Sequence, residues 1–130
     1  MPFTRIMLRQ NYPEEKLRQL SKILHQALTE EFAVPAEDCF QVIEMLPASQ
    51  LIFNRHYLSG TRSEDFVLFH ILAGKQRSIE QKKNFYHALS RKLFAKFNIH
   101  PDNVMVIIQF NTAEDWSFSG GRMYIPEDLC

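Results

Sequence analysis

Hydrophobic residues along this chain fall into short continuous runs and longer periodic stripes, which predict strands and helices respectively. In the first half, residues 3–8 form a short apolar run that predicts a strand, and a polar break ending at Pro13 follows. Apolar residues then recur with the 3.6-residue period of a helix that ends before residues 34–35; they are Leu17, Leu20, Ile23, Leu24, Ala27, Leu28 and Phe32. Residues 40–46 predict a second strand.

The second half of the chain repeats this order of strand, helix and strand. Residues 66–73 predict a strand that Gly74 ends, and residues 78–81 match a capping box that opens a second helix. Residues 104–108 supply the closing strand. A shift of 65 positions superimposes the two halves, because it aligns Glu15 with Glu80, Leu20 with Phe85, Leu24 with Leu89, Leu28 with Leu93 and Phe32 with Phe97.

Two tandem β-α-β units therefore define the predicted fold class, α/β (α+β). The right-handed crossover rule makes the two strands of each unit parallel and puts both helices on one face of a four-stranded sheet. The strands at residues 66–72 and 104–108 are apolar almost throughout, as in strands covered on both faces. We therefore expect other subunits to cover the face that has no helices.

One domain spanning residues 1–130 holds both units, with the first repeat at about 2–47 and the second at about 66–111. The linker, residues 48–65, carries enough apolar residues to predict an ordered, packed loop: Leu51, Ile52, Phe53, Tyr57 and Leu58. The tail, residues 112–130, is aromatic around Gly120-Gly121 and predicts a turn or short hairpin against a neighbouring subunit.

Composition narrows the classes of function. Fifteen Lys and Arg residues balance fifteen Asp and Glu residues, so no long-range field favours nucleic acid or an acidic membrane surface. The two cysteines, Cys39 and Cys130, lack metal-ligand spacing and are too few for a disulfide framework. No apolar stretch reaches the roughly 18 residues of a membrane span, and the start does not resemble a signal peptide. We expect a soluble, cytoplasmic protein.

The sharpest candidate for chemistry is Pro2. Removal of Met1 would leave a secondary amine at the start of the first strand. An α-amino group titrates near pH 7.7 to 8, and a pocket or nearby cations bring it closer to neutrality, where a general base works best. A Met-Pro start by itself is common and usually reflects processing alone, so its value here depends on the strand that follows it.

Three further stretches complete a resemblance to the malonate semialdehyde decarboxylase group of the tautomerase superfamily. Together with Met1-Pro2 they are residues 34–38 (VPAED), 77–82 (RSIEQK) and 114–118 (EDWSF), and the similarity runs from Pro2 to Leu129. The resemblance implies a homotrimer with one site near each Pro2, a small-molecule carboxylate substrate, and neither a cofactor nor a metal. It implies no nucleic acid and no membrane as partners.

Carried over by position, the resemblance makes Pro2 the catalytic amine, Asp38 a carboxylate that orients or polarises water or substrate, and Arg77 the group that binds a substrate carboxylate. The apolar wall would consist of Trp116, Phe118 and Ile125. The group's Arg-Pro-Arg pattern is Lys75-Gln76-Arg77 here, so Lys75 keeps the charge and loses the planar fork. From the residues alone, Asp38 could equally satisfy a turn, and the two aromatic residues could equally belong to a core or an interface.

Three functions remain open at this stage. The first is a tautomerase of small carboxylate-bearing enols or 2-oxo acids, such as phenylenolpyruvate or 2-hydroxymuconate, which needs Pro2 as a neutral amine. The second is a decarboxylase or hydratase of a 3-oxo acid such as malonate semialdehyde, which needs Pro2 protonated. The third is a non-catalytic trimer that keeps the fold for binding. The histidines His25, His70 and His87 pair with no nucleophile motif and receive no catalytic role.

Overall fold

The six main elements follow the order strand, helix, strand, twice. The computed structural model describes residues 1–9 and 11–126. Its strands and helices are β1 (Pro2–Leu8), α1 (Glu14–Phe32), β2 (Phe40–Met45), β3 (Val67–Ala73), α2 (Ile79–Phe97) and β4 (Val104–Phe110). Both ends of α1 lie 65 positions before the ends of α2, as the sequence shift predicts. Two short 3₁₀ helices, Pro101–Asn103 and Ala113–Asp115, precede and follow β4.

The sheet combines parallel pairs within each unit and an antiparallel pair between units. The strand order is β2-β1-β3-β4, with β1 parallel to β2, β3 parallel to β4 and β1 antiparallel to β3. The predicted fold class is confirmed. We call the edge where β1 and β2 begin and β3 and β4 end the Pro2 end, and the opposite edge the Val67 end.

Local sequence accounts for the helix boundaries. The Ser78 hydroxyl accepts a hydrogen bond from the Gln81 N–H, and the Gln81 side chain accepts one from the Ser78 N–H, which confirms the predicted capping box. Both helices end on a residue in the left-handed conformation, Ala33 in α1 and Asn98 in α2. These caps turn the chain back toward the sheet at equivalent places in the two units.

The core lies between the helices and one face of the sheet. Alternate residues of β1 and β3 point toward the helices, and the side chains that are fully buried there include Ile6, Leu8, Phe69, Ile71, Leu20, Leu24, Phe85 and Leu89. Each such side chain stabilises the fold by roughly 1.5 to 3 kcal/mol relative to exposure. The core fixes the relative position of the six elements, and thereby the groups at the Pro2 end.

The other face of the sheet, which we call the open face, is covered by neither of the described helices α1 and α2. It presents Phe40, Val42, Met105 and Ile107, each 40 to 50% exposed. Two polar pairs cross it: the Arg5 guanidinium lies 2.8 Å from Glu44 Oε1, and His70 contacts Gln109. An apolar sheet face of this kind is typical of an interface between subunits.

The linker and the tail both pack against the rest of the chain. Leu51 is buried and Phe53 stacks on Phe66 with ring centroids 4.3 Å apart, so this part of the linker packs as predicted, whereas Ile52, Tyr57 and Leu58 are exposed. The tail turns at Gly120-Gly121, one of the two predicted forms, and Trp116, Phe118 and Tyr124 on either side of the turn form aromatic contacts with one another and with Phe40. Residues 127–130 of the predicted tail lie outside the described residues, as does Cys130. None of the described helices is long and apolar enough to span a bilayer.

Candidate active site at the Pro2 end of the sheet

Pro2 is buried where β1 begins, paired with Ala73 of the antiparallel strand β3. The chain carries Met1, so the Pro2 nitrogen is part of a peptide bond and the terminal ammonium belongs to Met1. That ammonium lies 2.6 Å from Asp38 Oδ2, and the two side chains are only 9% and 16% exposed. The fold therefore holds the amino terminus of the chain against a carboxylate in a largely buried place.

Asp38 belongs to the turn that joins α1 to β2. Its N–H donates to the Pro35 carbonyl at 3.0 Å, and the His25 side chain holds the neighbouring Ala36 carbonyl at 2.8 Å. Because a carbonyl only accepts, His25 Nε2 is the donor in this bond. Asp38 Oδ1 is buried and has no hydrogen-bond partner among the described residues. A buried acceptor left unpaired is costly, so this oxygen is available to a water or a ligand.

Arg77 approaches the same place from the loop before α2. Burial lowers the pKa of Arg77, and the nearby negative charge of Asp38 opposes that lowering. The guanidinium stays charged, because an arginine does not lose its proton in a protein. Its Nη1 donates to the Lys75 carbonyl at 2.5 Å and its Nη2 to the Phe32 carbonyl at 2.9 Å. Arg77 thus caps the end of α1 while it places a positive charge beside Asp38.

Aromatic rings form the wall of the site. Trp116 stacks on Phe118 with ring centroids 5.6 Å apart, and Phe118 also contacts Phe40 and Tyr124. The Trp116 indole N–H donates to Asn111 Oδ1 at 2.7 Å, which fixes the orientation of the ring. These contacts bring two of the three expected wall residues together.

The other expected site residues lie farther from this cluster. Lys75 is exposed, and its contact with Arg77 is made by its backbone carbonyl. Ile125 is 49% exposed in the tail, near Phe118 and Tyr124 on a shallow part of the surface. The described structure therefore assembles Pro2, Asp38, Arg77, Trp116 and Phe118 and leaves these two at the rim.

The sequence interpretation missed three contributors to the site: Gly74, Asn111 and Phe40. Gly74 donates its N–H to the Met1 carbonyl at 3.2 Å, and the Trp116 ring lies over it. Asn111 directly follows β4, where its N–H pairs with the Ala73 carbonyl. Gly74 and Asn111 follow the ends of neighbouring strands, and that common position was the only available indication of a role.

Cys39 is an exposed free thiol next to Asp38. Burial and the negative charge of Asp38 both raise the pKa of Cys39. The thiolate is the nucleophilic form of cysteine, so the neutral thiol expected near pH 7 is a poor nucleophile. Of the described groups, the amino terminus is the better candidate for proton transfer.

Both the matching family model and a curated relative of this chain are described as tautomerases. A family model described as a tautomerase enzyme matches residues 38–119. The probable tautomerase YusQ of Bacillus subtilis (strain 168) is 33% identical over 127 residues, covering 98% of this chain and all of that protein.

Solved structures agree with the sequence relatives. A malonate semialdehyde decarboxylase described with decarboxylase and hydratase activities is 30% identical, with a TM-score of 0.86 over 92% of each chain. A second malonate semialdehyde decarboxylase, inhibited by 3-bromopropiolate, is 31% identical with a TM-score of 0.84 over 92% of this chain and 91% of that one. Fused 4-OT chains solved as trimers share the fold at 16 and 22% identity, with TM-scores of 0.75 and 0.76 over 93% of this chain and 94% of theirs.

Proposed function

Because this chain belongs to the tautomerase family, we propose that it is a cofactor-independent enzyme that ketonises small carboxylate-bearing enols of 2-oxo acids, such as phenylenolpyruvate or 2-hydroxymuconate. Pro2 is the acid and base of this reaction once Met1 has been removed. The observation that carries the proposal is the 2.6 Å contact between the Met1 ammonium and Asp38, a carboxylate close enough to Arg77 for their charges to interact. Removal of Met1 transfers the free amine to Pro2, the next residue, which is buried at the same end of the sheet. An amine held there can exchange protons with a ligand that Arg77 binds.

The proton transfers balance within the site. The neutral amine of Pro2 accepts the proton of the enol hydroxyl, and the resulting ammonium delivers a proton to the adjacent carbon, so the C=C bond is lost as the C=O bond forms. Arg77 binds the substrate carboxylate, for which a guanidinium is well shaped. Asp38 orients the amine and stabilises its protonated form. Trp116 and Phe118 exclude water and thereby strengthen these charge interactions.

The second candidate, a decarboxylase or hydratase of a 3-oxo acid such as malonate semialdehyde, is favoured by the two decarboxylase structures at 30 and 31% identity. One of those proteins was also solved as a variant in which its first residue, proline, is replaced by alanine. This reaction needs a protonated Pro2 that polarises a carbonyl. The pH dependence separates the candidates, because ketonisation rises as the amine loses its proton and decarboxylation falls.

We also propose that the working unit is a homotrimer in which the open face meets other subunits. The exposed Phe40, Val42, Met105 and Ile107 support this assembly, and the trimeric fused 4-OT chains show that the fold permits it. Light scattering of the purified protein tests it, with a monomer at micromolar concentration as the contrary result. A trimer that turns over neither class of substrate would indicate the third candidate, a binding protein.

Replacement of Pro2 by alanine tests the catalytic role. We expect Pro2→Ala to lower kcat/KM for phenylenolpyruvate at least about 100-fold, the usual contribution of a general acid or base. Mass spectrometry first establishes that Met1 is absent from both proteins. Pro47→Ala, at an exposed position two residues after β2, is the matched control and should keep full activity. Undiminished turnover by the Pro2 variant would refute the assignment.

A further inference from the structure

Gly74 provides space, and no feature of its backbone requires a glycine. Among the described glycines, Gly120 and Gly121 have positive φ angles and Gly74 does not. An L-residue could therefore adopt the Gly74 backbone without strain. Gly74 is nevertheless buried directly after β3, at the Pro2 end. Its lack of a side chain leaves a gap above its Cα.

Met1 and Trp116 fill that gap from two sides. A Cβ atom added to Gly74 would lie 2.5 Å from Met1 Cε and 2.6 Å from Trp116 Nε1, distances that side-chain carbons do not tolerate. The Met1 side chain thus extends from the amino terminus, beside Asp38, to the edge of the indole ring. We call the space that this side chain fills, between Asp38 and Trp116 and over Gly74, the channel.

Trp116 cannot move aside without losing contacts. Its indole N–H donates to Asn111 at 2.7 Å, and its ring stacks on Phe118 at an interplanar angle of 21°. An enlarged residue 74 would therefore take its volume from the Met1 side of the gap, or break the bond to Asn111. The fixed indole ring of Trp116 therefore bounds the channel at its far end, and Gly74 bounds it from below.

Resting on the proposed function, in which Met1 is removed, we propose that the space vacated by Met1 is the subsite for the substrate's chain and that Gly74 determines specificity by setting the chain length that fits. Among small enols of 2-oxo acids, this subsite favours those with an unbranched apolar chain about as long as a methionine side chain, and it accommodates the phenyl ring of phenylenolpyruvate less well. Their charged head contacts Arg77, and their tail lies over Gly74 and against Trp116.

Binding of unreactive ligands tests this subsite without catalysis. Trp116 is the single tryptophan of the chain, so its fluorescence reports the site directly. The processed protein is titrated with straight-chain saturated carboxylates from propanoate to hexanoate. We expect Gly74→Ala to weaken hexanoate binding about tenfold or more while propanoate changes much less, since misfit of one methylene in a pocket is worth roughly 10- to 200-fold.

Gly60→Ala is the matched control. A Cβ at Gly60 would lie 2.5 Å from Asp102 Oδ2, so it introduces comparable crowding far from the Pro2 end. This variant should bind every carboxylate as the unsubstituted protein does. Equal weakening of short and long carboxylates by Gly74→Ala would overturn the proposal, because it would indicate general disruption of the site.

A second measurement does not depend on the folding of the Gly74 variant. Protein that retains Met1, released from an amino-terminal fusion, should bind none of the carboxylates, because Met1 occupies the channel. Normal hexanoate binding by that protein would also overturn the proposal. Failure of the proposed function has a different outcome: the processed protein would show the expected length dependence of binding and yet turn over none of the enols.

Discussion

The Pro2 end and the Val67 end of the sheet have the same backbone arrangement but different side chains. With the shift of 65 positions that relates the two units, Val67 stands where the Pro2 end has Pro2, Asn103 stands in place of Asp38, and Tyr12 in place of Arg77. Each replacement at the Val67 end removes a group that could exchange a proton or bind an anion. The backbone frame is common to both ends, so the difference in chemistry comes from side chains.

At the Val67 end, side chains occupy the positions equivalent to the candidate site and form hydrogen bonds with the linker. Asn103 accepts the Ser63 N–H at 2.6 Å and donates to the Ser63 hydroxyl at 3.1 Å, which satisfies its amide. Arg9, which stands in the place of Gly74, fills the space and donates to the Leu51 carbonyl at 2.8 Å. At the Pro2 end, by contrast, Asp38 Oδ1 has no partner among the described residues. Among the described residues, the unpaired group at the Val67 end is the neutral Tyr12 hydroxyl, whereas at the Pro2 end it is a carboxylate oxygen that can accept a hydrogen bond from a ligand.

The largest expected effect comes from making the Pro2 end resemble its counterpart. Asp38→Asn should lower kcat/KM for an enol substrate about 100-fold, a typical contribution of a group that assists proton transfer. The amide has the same shape as the carboxylate but no charge to stabilise the protonated amine. Stopped-flow measurement of ketonisation checks this expectation, and an active Asp38→Asn protein would reduce Asp38 to a turn residue.

The equivalent change at the Val67 end should lower the stability of the fold and leave catalysis unchanged. Asn103→Ala leaves the partly buried Ser63 N–H without its acceptor, so we expect a loss of about 1 kcal/mol in the free energy of unfolding. Urea denaturation measures the loss, and kcat/KM at the Pro2 end should stay unchanged. A drop in catalysis without a loss of stability would mean that the two ends are not independent.

A smaller effect on substrate binding is expected when Arg77 is replaced by another cation of different shape. Arg77→Lys keeps the charge but loses the planar fork, and we expect KM for carboxylate substrates to rise about tenfold with kcat less affected. The free energy of one charged hydrogen bond is of this order. Arg91→Lys on the exposed face of α2 is the control. An unchanged KM in the Arg77 variant would remove Arg77 from substrate binding.

The smallest expected effect concerns Tyr12, the counterpart of Arg77. Burial, and then the negative charge of Asp65, raise the pKa of Tyr12 to about 12. A raised pKa favours the neutral form in the folded state, so its contribution is complete below pH 10 and is lost as the pH rises from 10 toward 12. Its hydroxyl is buried and has no hydrogen-bond partner in the described part of the chain.

Tyr12→Phe should therefore remove this alkaline loss of stability and increase the free energy of unfolding at neutral pH by up to about 1 kcal/mol. Urea denaturation at pH 7 and pH 11 measures both effects. Tyr57→Phe, in the exposed part of the linker, should change neither. Persistence of the full alkaline loss in the Tyr12 variant would assign it to other groups.

The sequence was most informative where structure depends on neighbouring residues. The stripe of α1, the capping box at Ser78 and the shift between the units are local patterns, and they predict the fold. The gap over Gly74 depends on Met1 and Trp116, which are more than 100 positions apart, and no local pattern indicates it. Spacing does not bring Asp38 and Arg77 together either. They meet because α1 ends and α2 begins at one edge of the sheet.

The hydrogen bond from Arg77 to the Phe32 carbonyl connects the proposed anion-binding residue to the last turn of α1. That turn has no basic residue of its own, so a guanidinium from another loop offsets its negative end. Helix ends fray at a lower free-energy cost than buried strands separate. If Arg77 binds the substrate as proposed, mild heating would displace its guanidinium before the sheet unfolds, and thermal inactivation would begin below the temperature of cooperative unfolding.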